Sequence, residues 1–295
     1  MNDVVKAVRK LVNSGPLREA KGLRRMIKSV GIGAANLVSK GATVEVAKGR
    51  HMVVPWDLVG ATRWEDYEPV SMDLCARFIE QHPDALVIDV GCSIGIFSCM
   101  ALHLSDRTEV FSLDADLMSL TMAKKMGSTA SGQRHNVIWG FCTDPGRSGA
   151  NALRADLPAA TKRSSEVLVR AGLKPSIGAN KYTCIDGNEP KDTPSWDLDS
   201  LFAPIAQTGR PMLVKIDIEG AEAIAVQGTS ELMKMPNVEF IIGVHPGRLP
   251  GFGTTRDELW KLIENRGREV ELVETDTEEH WWVRRSGEAA VACGK

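Results

Sequence analysis

Residues 87–98 read VIDVGCSIGIFS, and the fold follows from how this stretch is read. A short apolar run halts at Gly91, the chain bends through Cys92 and Ser93 to Gly95, and Phe97 lies in the opening of a helical pattern, IGIFSCMALHL. A bend between a buried strand and a helix favours glycine, because the backbone must turn sharply and admit a ligand without a Cβ in the way. Asp114 closes the next strand, VFSLDAD, and is followed by Ala115. It lies about 20 residues past Gly95, the spacing expected of an acid that accepts hydrogen bonds from both ribose hydroxyls.

The spacing also speaks to which nucleotide is bound. A nicotinamide dinucleotide fingerprint would read G-x-G-x-x-G, whereas this turn reads G-C-S-I-G with an acid, Asp89, just before it. A carboxylate beside a diphosphate is a liability. Beside a cationic amino-acid end and a sulfonium it is an asset. The turn, Asp89 and Asp114 together therefore predict S-adenosylmethionine as the cofactor, with Asp89, Gly91, Cys92, Ser93, Gly95, Phe97, Asp114 and Ala115 around it. An oxidoreductase using a nicotinamide dinucleotide is the alternative within enzymes, and a non-catalytic binding module that keeps the fold is the alternative outside them.

From residue 66 onward, strand and helix patterns alternate. EDYEPVSMDLCARFIEQH is helical, EVFSLDA a strand, LMSLTMAKKMG helical and NVIWGF a strand; MLVKIDI, EFIIGVH and their following helices continue the rhythm, and EVELVE and HWWVRR close it. Alternation of this kind predicts an α/β domain, a mostly parallel sheet with helices on both faces, finished by an antiparallel hairpin.

Residues 213–228, LVKIDIEGAEAIAVQG, carry Lys215, Asp217 and Glu219 through a strand that a central position would cover on both faces. Unpaired buried charge is costly, so these groups must pair with one another, with a cofactor or with a substrate. Because open parallel sheets bind ligands outside the carboxyl ends of their strands, the three rise toward the glycine turn. Methyl transfer to an alcohol needs positioning and removal of a proton. His245, which ends FIIGVH, reaches the same edge and is the predicted base. Glu222, in the following helix, is a further acid. His82, His103, His135, His51 and His280 read as structural or exposed. GFCTD brings Cys142, Thr143 and Asp144 to the expected adenine edge. Two carboxylates, Asp217 and Glu219, are too few to assert a divalent metal, and none is assigned.

The motifs VIDVGCSIGIFS, VFSLDAD, LVKIDIEGAEAIAVQG and FIIGVHP, in this order, resemble the FkbM family of S-adenosylmethionine-dependent methyltransferases. The resemblance spans residues 50 to 285, and KIDIEGAE is its most specific block. It implies a Rossmann-like class I methyltransferase fold and methylation of a hydroxyl on a sugar, glycan or natural product. It also implies that Tyr67 and Glu68, in DYEP, lie near the cofactor. Two departures stand out: Gly243 occupies a position where the family commonly has an acid, and the segment between FCTD and WDLDSL is longer than usual.

At 295 residues the chain is long enough for one catalytic-sized domain, and a net charge of −2 gives no global case for nucleic acid. The six cysteines, Cys75, Cys92, Cys99, Cys142, Cys184 and Cys293, form no C-x-x-C pair and read as buried apolar groups in a reducing compartment. With neither a secretory signal nor a membrane span in view, the expected location is the cytoplasm. Residues 1–50 differ in character. Lys6, Arg9, Lys10, Arg18, Lys21, Arg24, Arg25 and Lys28 crowd two expected helices beside only Asp3 and Glu19. This basic extension packs by its apolar stripe on the domain or on a second copy of the chain, or else it contacts a membrane surface or acidic partner. Residues 51–295 form the expected methyltransferase domain, interrupted at 144–194 by an insertion rich in Gly, Pro, Ser and Asn that is expected to help shape the acceptor pocket.

Overall fold

A computed structural model describes residues 40–47, 49–60, 62–130, 134–144, 194–275 and 278–285. Seven strands form the central sheet: β3 (Leu86–Val90), β4 (Glu109–Asp114), β5 (His135–Trp139), β8 (Met212–Ile216), β9 (Val238–Val244), β10 (Arg268–Thr275) and β11 (Glu279–Arg285). Their spatial order is β10-β11-β9-β8-β3-β4-β5. Pairings among β5, β4, β3, β8 and β9 are all parallel, while β11 is antiparallel to both β9 and β10. The expected antiparallel finish is thus a single reversed strand, and β10 returns to the direction of the others.

The alternation of side chains along the strands feeds two apolar layers. On one face Val87, Val110, Leu213 and Ile241 meet Met72, Ile79, Met100 and Met126 from α1 (Pro69–Gln81), α2 (Ile96–Leu104) and α3 (Leu117–Gly127). On the other, Ile88, Val214, Ile216 and Ile242 meet Phe202, Val226, Leu259 and Ile263 from α4 (Leu198–Ala206), α5 (Glu222–Gln227) and α6 (Arg256–Glu264). Each such side chain contributes roughly 1.5–3 kcal/mol by leaving water. Every residue of β3 and of β8 is buried, Asp89 and Lys215 included, because helices cover both faces of a parallel sheet.

A hairpin of β1 (Ala42–Ala47) and β2 (Arg50–Val54) precedes the sheet, and its Val46, Ala47, Met52 and Val54 join the first layer. The expected boundary at residue 50 therefore falls inside an element that packs with the domain. The basic helices expected before residue 40 lie outside the described residues, as does 145–193 of the expected insertion. The two ends of that insertion are held together: β6 (Phe141–Cys142) pairs in parallel with β7 (Ser195–Trp196), and the Trp196 indole donates to the Trp139 carbonyl at 2.9 Å. Among the described residues, no helix is long and apolar enough to cross a membrane.

Candidate active site

Strand order reverses between β3 and β8, and their carboxyl ends are where such a sheet takes a ligand. The glycine turn and the acidic strand tip meet there directly. Asp217 donates its backbone N–H to the Val90 carbonyl at 2.9 Å, and a Cβ on Gly91 would lie 1.8 Å from the Asp217 carbonyl oxygen. Gly91 is thus required by close approach as well as by its φ of +78°, and Gly95 likewise leaves room for Ala123 of α3.

Asp114 braces this turn. Its carboxylate accepts from the backbone N–H of Ser93 at 2.9 Å and of Asp116 at 2.8 Å. Each carboxylate oxygen can accept more than one donor, so ribose hydroxyls can still be received. Burial pushes the Asp114 carboxyl up to about 7, against the two backbone donors. Asp89 is placed differently. It is 1% exposed and sits beneath the turn, taking the hydroxyl and backbone N–H of Ser98 at 2.6 and 3.2 Å. A buried hydroxyl chain continues from Ser98 through Ser112 to His135. Desolvation raises the Asp89 carboxyl to about 6, against the Ser98 hydroxyl at the start of α2. The Cys92 thiol is buried, and the Ala115 carbonyl accepts from the Trp139 indole at 3.0 Å. Cys142 and Thr143 sit at β6, where Thr143 donates its N–H to Trp196, and Asp144 follows at the edge of the described segment.

The charges of β8 are paired, as their burial demands. The Lys215 ammonium, 2% exposed, lies 2.7 Å from Asp217 Oδ2, 3.1 Å from Glu68 Oε2 and 5.6 Å from the centre of the Phe97 ring. Burial pushes its pKa down, but Asp217 and Glu68 outweigh that and hold it firmly charged. Tyr67, half-buried beside Glu68, has its phenol pushed up by burial and by the Glu68 charge. Among the described residues, three non-glycine residues have left-handed backbone: Glu68 (φ +40°), Ser93 (φ +49°) and Glu219 (φ +59°). All three belong to this cleft, and strain of this kind persists where surrounding contacts over-determine it.

His245 stands at the other end of the cleft, ringed by acids. Its Nδ1–H donates to Glu222 Oε1 at 2.8 Å, and Glu222, wholly buried, is itself fixed by the Gly220 N–H. Its Nε2 lies 2.7 Å from Glu278 Oε2, 3.3 Å from Glu219 Oε2 and 3.9 Å from Asp217 Oδ1. Burial would lower the ring, yet hydrogen bonds to Glu222 and Glu278 prevail and hold it up to about 10, as an imidazolium. Arg248 pairs with Glu219 at 2.6 Å. Sequence reasoning does not find Glu278, which enters from the turn before β11, and it treats His280 as peripheral. In the structure His280 Nε2 is 3.0 Å from Glu278 Oε1, and both residues line a cavity of about 370 Å³ with Tyr67, Glu68 and Glu274. The sequence offers only the strand pattern HWWVRR; its neighbour in space is β9, through the pairing His280 to Gly243.

No protein-family model matches the chain, and no curated protein matches it. Solved structures that align with it include precorrin-6y C5,15-methyltransferase from Geobacter metallireducens (10% identity, TM-score 0.39, 79% of this chain and 95% of that one). A TehB-like S-adenosylmethionine-dependent methyltransferase from Corynebacterium glutamicum aligns at 13% identity and TM-score 0.36, over 78% and 92%. Magnesium protoporphyrin IX methyltransferase from Synechocystis, solved with bound S-adenosylhomocysteine, aligns at 12% identity and TM-score 0.37, over 73% and 82%. The fold assignment itself rests on strand order. A doubly wound sheet with one reversed strand inserted before its outermost member is the Rossmann-like class I methyltransferase fold.

Proposed function

We propose that the chain is an S-adenosylmethionine-dependent methyltransferase acting on a hydroxyl of a sugar, glycan or natural product. The observation that carries the cofactor is the contact between Gly91 and Asp217, which opens the glycine turn and the acidic strand tip onto one cleft, with Asp114 bracing its ribose side. Glu68, Tyr67 and the tip of β6 at Cys142, Thr143 and Asp144 frame the rest of that cleft. The hydroxyl acceptor and its class follow from the resemblance of KIDIEGAE and its companion motifs to the FkbM family. The cavity beside Glu278 and His280 is the proposed acceptor site.

At the transfer end, Lys215 fixes Asp217, and His245 with Glu219 handles the acceptor's proton. His245 rests as an imidazolium and can accept a proton only after its own has left. Glu219, whose carboxyl burial pushes up and which lies 3.3 Å from Nε2, is the acceptor available when the ring is engaged. Calorimetry with S-adenosylhomocysteine and with NAD tests the cofactor: binding of the first and not the second is expected, and the reverse result overturns the reading. Transfer of label from S-adenosylmethionine to a panel of hydroxylated acceptors, read by mass spectrometry, tests the reaction. In that assay His245→Ala should lower turnover while cofactor affinity stays nearly unchanged.

A further inference from the structure

The groups facing His245 Nε2 are arranged more completely than an ion pair needs. One N–H cannot serve Glu278, Glu219 and Asp217 together, although all three approach it within 3.9 Å. One atom each from Asp217, His245 and Glu278 lies within 4.8 Å of the other two. The atoms of these residues that face away are each held by a separate partner. Lys215 takes Asp217 Oδ2 at 2.7 Å, His280 takes Glu278 Oε1 at 3.0 Å, and Glu222 takes the His245 Nδ1–H at 2.8 Å. The last contact selects the tautomer whose Nε2 lone pair faces the carboxylates. Imidazole oriented by a buried carboxylate, with ligating carboxylates hydrogen-bonded on their far side, is how proteins prepare metal ligands.

We infer that Asp217 Oδ1, His245 Nε2 and Glu278 Oε2 form a binding site for a divalent cation, with Glu219 close enough to complete it. One imidazole and two or three carboxylates suit ions from Mn²⁺ to Zn²⁺ better than Mg²⁺, which prefers oxygen and retained water. A dication here takes the place of the imidazolium proton and neutralises acids that Lys215 and Arg248 alone do not balance. Three protein ligands would leave coordination positions for a hydroxyl oxygen, which the dication would acidify, and of the three Glu278 also lines the cavity beside His280. Mn²⁺ binding can be measured without cofactor or acceptor, so its failure is separable from failure of the methyltransferase reading.

The test is titration of the full-length chain with Mn²⁺, and separately with Zn²⁺ and Mg²⁺, by calorimetry. One Mn²⁺ per chain is expected, bound more tightly than Mg²⁺. Glu278→Gln should abolish it, and Glu222→Gln, which removes only the charge that orients the ring, should weaken it by about 10- to 100-fold. Glu271→Gln, on the far edge strand and paired with Arg284, should change nothing. Should a variant fail to fold, pulsed electron spin resonance of the Mn²⁺-loaded native chain decides alone, because coupling to an imidazole nitrogen is required. Absence of Mn²⁺ and Zn²⁺ binding, unchanged affinity in folded Glu278→Gln, or absence of the nitrogen coupling overturns the site.

Discussion

The two ends of the cleft are built in opposite ways. At the glycine turn the participants lie within two consecutive strand-to-helix connections and the backbone of Asp217 at the tip of β8, and the donors are backbone: Ser93 N–H to the Asp114 carboxylate, Gly91 N–H to the Leu113 carbonyl. Around His245 the side chains come from β8, β9, the start of α5 and the turn before β11, and the contacts are charge to charge. The first end is set by local chain geometry and tolerates little change of shape. The second is set by a balance of buried charge and tolerates little change of ionisation.

The largest effect that would sharpen this contrast is expected at Lys215. Lys215→Ala leaves Asp217 and Glu68 facing each other inside the protein, and removing one partner of a buried ion pair typically costs about 3–5 kcal/mol. Urea unfolding should show a loss of that order; a change near zero would mean the acids are neutral or hydrated and the charge-balance picture is wrong. Next comes Gly91→Ala. It combines a left-handed backbone with a clash against Asp217, and backbone strain alone amounts to about 1–3 kcal/mol. Wild-type stability and cofactor affinity in that variant would show that the turn and the β8 tip are not in contact.

Asp114 offers a test by pH. Its carboxyl is raised to about 7 by burial, above the unfolded value near 3.9. The neutral form is thus favoured in the fold: its contribution to stability is complete below about pH 4 and is lost as pH rises through about 7. Ribose hydroxyls prefer the ionised form. S-adenosylhomocysteine affinity should therefore climb between pH 6 and 8, by at most about tenfold per unit for one released proton. Asp114→Asn should weaken binding by about 1–3 kcal/mol and flatten that slope. A slope that survives the substitution would move the titrating group elsewhere. The smallest effect is expected at Gly243, where an added Cβ would stand 3.1 Å from the Asp217 carboxyl carbon. Gly243→Ala should displace Asp217 by tenths of an ångström, altering turnover more than stability.

What the sequence disclosed follows the same division. The strand-turn-helix at 87–98, the position of Asp114 and the buried run of β8 are legible because period and glycine placement report local backbone needs. Lys215, Asp217 and His245 are legible as residues that must find partners, since charge in a covered strand has no cheap alternative. Glu278 and His280 are not legible. Their relevance arises only when β11 inserts beside β9, a pairing between positions 35 or more residues apart that no periodicity records. Asp89 stands before the turn as its place in the sequence says, while the acceptance of the Ser98 hydroxyl and N–H by its Oδ2 is a contact nine residues ahead that the glycine spacing does not record. The hairpin β1–β2 is not legible because its alternation is short and lies next to the basic segment.

The pairing of Phe141–Cys142 with Ser195–Trp196 has a consequence for how this chain can change. The polypeptide departs from the sheet and rejoins it at one two-residue clasp, so whatever is spliced between those points starts and finishes in register with the same β5-to-α4 junction. Closing a loop grows costlier only with the logarithm of its length, about 0.6 kcal/mol per doubling. A segment joined at that clasp can therefore be shortened, lengthened or exchanged at little cost to the rest of the fold.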